Sequence, residues 1–470
     1  MNKKTASAKE SYRVEKDSMG PVRVPKDMLY GASTQRAVLN FPISGRRFPR
    51  PFIQALGQVK LSAAKANLKL GLLDTKQAGA MIRAAQDVRD GEYDAHFVVD
   101  VFQTGSGTST NMNANEVIAS LANRGLGLMP QAKGRIHPND HVNKGQSSND
   151  VIPSVMHIAV LMQIKSALVP ELRQLRKALD QKARAFKAIL KIGRTHLQDA
   201  TPVTLGQEFG GYAMQIGKAI ERLERCYPGL RELAIGGTAV GTGINTHPEF
   251  AQTVCQDLNQ TLGENFCEAP NHFEAQAAKD ACVETSAQLR GLAVALMKIA
   301  NDIRWLGSGP RAGLGEIRLP AVQPGSSMMP GKVNPVIAEA VMQVAAEVIG
   351  NDSAVALAGL SGNFELNVMM PLMAYLLLES IRILTHAVLV FRTRCIAGIR
   401  ANNKVCEGLI ERNLMLATAL VPVLGYDKAA AVAKEAYQKG LTVREVVRIK
   451  KLIPEKQLSK LLDVKRLISH

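Results

Sequence analysis

The chain of 470 residues is long enough to bury a sizeable core and to divide into two or three domains, which excludes a tail or a minidomain. Hydrophobic residues at 46% and charged residues at 21% lie near the globular average and exclude disordered and fibrous classes. The excess of 58 basic over 41 acidic side chains, a formal +17, suits nucleic acid, an acidic surface or small anions, but aromatics at 4% are too few for base-stacking platforms, so solvated helix faces are expected.

The chain opens with a basic stretch at 1–4 and polar residues up to about Tyr12 that read as untethered, with no signal peptide because Glu10 precedes any apolar run. Val24-Pro-Lys-Asp-Met-Leu-Tyr30 begins an ordered segment. From Phe52 onward Ala55, Val59, Leu61, Ala64, Leu68 and Leu70 fall on overlapping helical rows among good helix formers. Thr104-Gly-Ser-Gly-Thr-Ser-Thr-Asn-Met-Asn-Ala-Asn-Glu116 follows. One of its residues suffices as a helix N-cap, and the surplus of hydroxyl and amide donors suits an anion at a helix N-terminus.

Next comes His137-Pro-Asn-Asp-His-Val-Asn-Lys-Gly-Gln-Ser-Ser-Asn-Asp150, with Ser147, Ser148 and Asn149 as neutral donors. His137 and His141 stand four apart, but Pro138 and the absence of HExxH argue against a metal. Long helical runs are predicted over 154–187, 207–232, 274–306, 336–358 and 372–394. Between the first two lies Gly193-Arg-Thr-His-Leu-Gln-Asp-Ala-Thr-Pro202, read as a polar segment between helices. Its His196 has a pKa range suited to proton transfer near neutrality. Gly236-Gly-Thr-Ala-Val-Gly-Thr-Gly243 does not match a dinucleotide fingerprint.

Gly325-Ser-Ser-Met-Met-Pro-Gly-Lys-Val-Asn-Pro335 is neither a P-loop nor a nucleophile elbow. Five residues part its glycines, Val333 follows Lys332, and no Gly-x-Ser-x-Gly is present. A flexible hydroxyl loop beside a cation remains. The most apolar stretch, 366–378, is broken by Pro371 and closed by Glu379, short of the ~20 residues of a spanning helix. From about Ala401 shorter helices are broken by Pro422, Gly425, Gly440 and Pro454. Six scattered cysteines without a CxxC pair read as reduced thiols of a cytoplasmic protein. Few segments alternate as strands, so the expected class is mainly α, a bundle of long helices. The polar loops supply hydroxyls, amides, one His and one Lys, an inventory that suits a small polyanionic substrate without a metal or cofactor.

Gly325–Pro335, with the other three polar segments in order, resembles the signature set of the fumarase/aspartase superfamily, from about Tyr12 to the C-terminus. Within it the chain is most similar to class II fumarate hydratases, at Gln146-Ser-Ser-Asn-Asp150, Gly193-Arg-Thr-His196, Gly236-Gly-Thr-Ala-Val-Gly241, Ser308-Gly-Pro-Arg311, Pro330-Gly-Lys332 and Asn363-Phe-Glu-Leu-Asn-Val368. Ser109-Thr110-Asn111 instead resembles the aspartase form, and Met369-Met370 departs from the usual continuation. Aspartate ammonia-lyase, with L-aspartate as substrate, is the alternative.

The resemblance implies a three-domain fold, 1–146, 147–400 and 401–470, whose central long-helix bundle forms a tetrameric core. It implies a homotetramer with active sites shared by three chains, a dicarboxylate substrate, no cofactor or metal, and no nucleic-acid or membrane partner. It implies reversible anti addition of water to fumarate, giving (S)-malate through an aci-carboxylate. Ser326 would be the base, Lys332 and Asn334 would hold the aci-carboxylate, and His196 with Glu339 would handle the water. Ser106, Thr108, Asn111, Ser147, Ser148, Asn149 and Thr195 would orient substrate, and His137, Asn139 and Asp140 would form an accessory anion site.

Overall fold

The computed structural model describes residues 11–129 and 132–468, so the basic stretch at 1–4 and most of the polar lead lie outside the described residues. Strands β1 (Tyr12–Asp17) and β2 (Gly20–Pro25) form a hairpin, followed by α1 (Ala32–Asn40), α2 (Arg50–Lys69), α3 (Thr75–Asp90) and α4 (Thr108–Gly125). Helix α5 (Ser148–Gln163) passes through a π-type turn into α6 (Val169–Ala185). An antiparallel hairpin, β3 (Leu190–Thr195) and β4 (Gln198–Thr204), precedes α7 (Leu205–Glu224). Short elements come next: α8 (Tyr227–Arg231), β5 (Glu232–Leu233), α9 (Phe250–Leu262), β6 (Cys267–Glu268) and α10 (His272–Ala277). Then α11 (Asp280–Leu306), β7 (Ile317–Arg318), α12 (Val336–Gly359), the β8 (Gly362–Asn363) and β9 (Leu366–Asn367) hairpin, α13 (Met370–Arg394) and β10 (Arg400–Ala401) follow. The chain closes with α14 (Asn403–Ile410), α15 (Val421–Leu424), α16 (Tyr426–Lys439), α17 (Val443–Ile449), α18 (Glu455–Leu461) and α19 (Val464–Leu467).

The mainly helical expectation holds, and the long runs reappear as α2, α5 with α6, α7, α11, α12 and α13. One start was misplaced. The run predicted from 154 begins earlier, since α5 starts at Ser148. A capping box between Ser147 and Asp150 nucleates it, and the cost of Pro153 is one missing N–H for the Asn149 carbonyl. Strand content was also underestimated, because β3 and β4 alternate weakly and pair through a register shift between Ile192 and Arg194.

By compactness the chain forms two units. The first comprises Met1–Leu168, Arg222–Gly291 and Glu347–Ile383. Its core is built on α2, which packs against α3, α5 and α9 and buries Phe52, Leu56 and Val59 completely. A Cβ at Gly57 would stand 2.7 Å from the Arg89 backbone nitrogen, so a glycine there sets how closely α2 and α3 approach. The second unit comprises Val169–Glu221, Leu292–Ala346 and Leu384–His470. There Leu420, Val447 and Leu458 are fully buried in a cluster that Leu190 of β3 packs against. Each such side chain contributes roughly 1.5–3 kcal/mol. The hairpin is thereby seated on the C-terminal helices. This division follows contacts rather than chain order and leaves the three-part division at 147 and 401 as a proposal.

Two helical stretches, Ser148–Ala185 and Met370–Gly398, are long and apolar enough to cross a membrane by length and composition. The first is two-thirds buried within the chain, as a core helix is, and the second only half buried. All six cysteines are unpaired, and only Cys267 is exposed. Burial pushes the thiols of Cys255, Cys282 and Cys395 up to about 12 and that of Cys406 to about 11.

Candidate active site

In the first unit the Thr104–Glu116 motif becomes the loop into α4, and the Gln146–Asp150 motif becomes the start of α5. The two are joined by a hydroxyl chain: Ser106 Oγ and Thr108 Oγ1 share a hydrogen bond of 2.8 Å, and Thr108 Oγ1 and Ser148 Oγ one of 2.6 Å. Gly107 makes the approach possible with φ +73°, where a Cβ would stand 2.9 Å from Ile152. Ser147 caps α5, its Oγ accepting from Asn149 N at 3.3 Å, and Asn149 Nδ2 donates to the Ala239 carbonyl at 2.7 Å. Five of the expected substrate-binding residues, Ser106, Thr108, Ser147, Ser148 and Asn149, thus lie at the adjoining N-termini of α4 and α5, where backbone N–H groups favour an anion.

Asn111 is placed differently. It is buried, and its Nδ2 donates to Asn143 Oδ1 at 3.1 Å. Its neighbours also face inward: Thr110 donates through N and Oγ1 to Gln103 Oε1, and Ser109 Oγ shares a bond with Thr104 Oγ1. The acidic end of the motif, Glu116, caps α1 by accepting from the N–H groups of Gly31, Ser33 and Thr34 and from Thr34 Oγ1.

The accessory segment forms a single π-type turn, Pro138–Val142. His137 Nδ1 accepts from the N–H groups of Asn139 and Asp140, both at 3.3 Å, and the Asp140 carboxylate lies 3.2 Å from the same nitrogen. His137 and Asn139 border a 520 Å³ cavity together with Arg13 and Arg135.

In the second unit Thr195 ends β3, and His196 sits with Leu197 at the exposed tip of the hairpin, not in an irregular loop between helices. Both tip residues have positive φ, 55° and 58°, the conformation of a two-residue turn that usually takes Asn and Gly. Gly193 is required just before, since a Cβ would meet the Thr201 carbonyl oxygen at 2.6 Å. Beneath the tip Glu316, fully buried, lies 2.9 Å from Arg194 and 3.1 Å from Lys191. These contacts lack hydrogen-bond alignment at the carboxylate, so the attraction that holds β3 there is mainly Coulombic.

The Gly325–Pro335 segment is an exposed loop closed on itself, with Gly325 N donating to the Lys332 carbonyl at 2.9 Å and Asn334 Nδ2 donating to the Gly325 carbonyl. Ser326 Oγ accepts from Met328 N at 3.2 Å and Met329 N at 2.9 Å. Ser326 and Lys332 line a 450 Å³ cavity, while Asn334 spends its amide on the loop. Glu339 lies in the first turn of α12. Among the described residues no hydrogen bond or ion pair joins it to His196.

Sequence reasoning missed the groups underneath. Asp150, fully buried, accepts from the N–H groups of Ser147 at 2.9 Å and of Gly236 and Thr238 at 3.0 Å each, which gives the glycine-rich 236–243 segment its purpose. Burial raises its pKa to about 6 against the pull of those donors. Lys60, also buried, has its pKa lowered to about 7 by desolvation. A lysine among the apolar rows of α2, 83 residues before the Asn143 that accepts from it, carried no signal beyond its own charge.

Two family models match the chain, one for a lyase over residues 20–350 and one for the fumarase C C-terminus over residues 416–469. The chain is 52% identical over 457 residues to a class II fumarate hydratase of Xylella fastidiosa, covering 97% of this chain and 95% of the relative. It is 54% identical over 437 residues to one of Nitrosomonas europaea, covering 93% and 94%. Among solved structures a class II fumarase of Schistosoma mansoni superposes with a TM-score of 0.95 at 36% identity, covering 97% of this chain and 98% of the other. A fumarate lyase:delta crystallin of Brucella melitensis superposes with 0.94 at 46% identity, covering 98% and 100%.

Proposed function

Because the chain belongs to the class II fumarate hydratases, a family of lyases, its activity is the hydration of fumarate, and we propose how its residues perform it. The observation that carries the proposal is the pair of backbone N–H groups on Ser326 Oγ. A serine removes a carbon-bound proton only where its alkoxide is stabilised, and two N–H donors from the same loop lower that cost. Ser326 takes the proton from malate next to the carboxylate. Lys332 meets the charge that accumulates on the aci-carboxylate, the largest demand of the reaction, with Asn334 holding the shape of the loop.

Ser106, Thr108, Ser147, Ser148, Asn149 and Thr195 orient the dicarboxylate through neutral donors. His196, with Glu339, positions the water that leaves and returns. In a homotetramer whose sites draw on three chains, His196 of one chain would meet Glu339 of another. The exposure of Phe364 at the β8–β9 tip, 92%, and of Leu360, 80%, is in keeping with such an assembly. His137, Asn139 and Asp140, beside Arg13 and Arg135, offer the accessory anion site. The six unpaired thiols favour a reducing compartment, the cytoplasm. The aspartase-like Ser109-Thr110-Asn111 lies buried at the start of α4, its side chains bonded to Thr104, Gln103 and Asn143.

Purified protein given (S)-malate should raise the ultraviolet absorbance of the fumarate double bond, with L-aspartate giving no rise. Ser326→Ala should lower turnover by about two orders of magnitude or more with an unchanged melting temperature. Undiminished turnover in that variant would remove Ser326 from the chemistry.

A further inference from the structure

A lysine is an expensive thing to bury, and Lys60 is 2% exposed in the middle of α2. Its Nζ donates to Asn143 Oδ1 at 3.0 Å and to Gln146 Oε1 at 2.9 Å. The same Asn143 oxygen accepts from Asn111 Nδ2 at 3.1 Å and Asn115 Nδ2 at 3.2 Å, so three donors from two helices converge on one side chain. Asn143 passes this restraint on, its own Nδ2 donating to the Gln146 carbonyl at 3.0 Å. Gln146 Nε2 in turn ties back to the carbonyls of Val142 at 3.1 Å and Lys144 at 3.2 Å.

The peptide between Gln146 and Ser147 is therefore held on both sides. Asn143 grips its carbonyl, and the buried Asp150 accepts its N–H at 2.9 Å. That peptide unit is the last before Ser147, Ser148 and Asn149, and its orientation decides where the first N–H groups of α5 point.

The arrangement is poor as a device for stability. Asn111 and Asn115 each leave a buried carbonyl oxygen without a partner, a cost of about 1–3 kcal/mol apiece. Apolar side chains of similar volume commonly match or exceed the stability of buried ionic groups. What the polar cluster supplies is one fixed geometry for the loop that ends at Ser147.

We propose that Lys60 is a positioning residue of the active site: through Asn143 and Gln146 it fixes the N-terminus of α5 and with it the donors that bind the substrate dicarboxylate. It touches no substrate itself. The proposal rests on the fumarate hydratase reading and concerns binding rather than proton transfer, since Ser326 and Lys332 stand on a separate loop.

The test compares Lys60→Met and Gln146→Leu with the wild type in fumarate hydration and malate dehydration. Gln146→Leu removes one arm of the clamp at a half-buried position and decides the matter if Lys60→Met fails to fold. The expected result is a KM for both substrates raised roughly tenfold or more, with kcat within about threefold. A folded variant with wild-type KM, or one that loses kcat at constant KM, overturns the proposal. If the wild type itself does not hydrate fumarate, the activity reading fails, and fumarate binding by titration calorimetry carries the same comparison: equal affinity in wild type and variants would sink the positioning role.

Discussion

Lys60 and Asp150 bring opposite charges under the start of α5, and their pKa values move toward each other, down to about 7 and up to about 6, each driven first by desolvation. For the lysine the sign of the pH dependence follows directly. The folded chain has released the proton above about pH 7, whereas the unfolded chain holds it up to the ordinary 10.5, so across that window the unfolded state binds more protons and stability rises with pH. The contribution is complete above the unfolded value and is lost as pH falls through about 7. Lys60→Met has no such dependence. The unfolding free energy of wild type minus that of Lys60→Met should therefore rise between pH 7.5 and 9.5, at up to about 1.4 kcal/mol per pH unit. Urea titrations at three pH values measure it, and a flat difference would mean that the amine stays charged inside the fold.

At the scale of elements the β3–β4 hairpin holds the most informative strain. His196 and Leu197 both occupy the left-handed region, at a cost of roughly 1–2 kcal/mol per residue. The buried Glu316, the packed Leu190 and the tie from Asn413 Nδ2 to the Ala200 carbonyl at 2.7 Å hold the tip there. Leu197→Gly should relieve part of this and stabilise the protein by about 0.5–1 kcal/mol in chemical denaturation, since Leu197 is exposed. A destabilised variant would show that the leucine side chain packs against something that matters more than its backbone angle.

The same hairpin marks the limit of what could be read from residues alone. Helical periodicity in α2, α7, α11, α12 and α13 was legible because each is long and repeats its apolar rows. The hydroxyl-rich loops were legible because no cap needs so many donors. The hairpin was not, since Leu190–Thr195 mixes apolar, charged and glycine positions and its turn lacks the Asn-Gly pair that announces one. Nor was the inward turn of Asn111, which depends on Asn143 thirty-two residues away.

For the whole molecule, the candidate residues divide between two compact units, Ser106 to Asn149 in the first and Thr195, His196 and Ser326 to Glu339 in the second. Helix α13 has an apolar 18-residue window that is only half buried within the chain, and an apolar surface of that kind is stable in water when something covers it. The proposed sharing of sites among chains is open to a direct test. Co-expression of Ser326→Ala with Asn149→Ala should then yield mixed oligomers with turnover well above either variant alone, because some sites would receive an intact residue from each parent. Activity no higher than the parents would confine each site to one chain.

The sulfur chemistry of the fold bears on where such a catalyst can operate. Five of its thiols are buried, and burial raises the pKa of all six, Cys267 at the surface included, so the buried five behave as apolar bulk rather than as nucleophiles. The proposed machinery is made of hydroxyls, amides, a carboxylate, an imidazole and an amine. Since none of these groups is a thiol, oxidation of Cys267 at the surface should leave turnover intact under peroxide that silences enzymes dependent on a reactive cysteine.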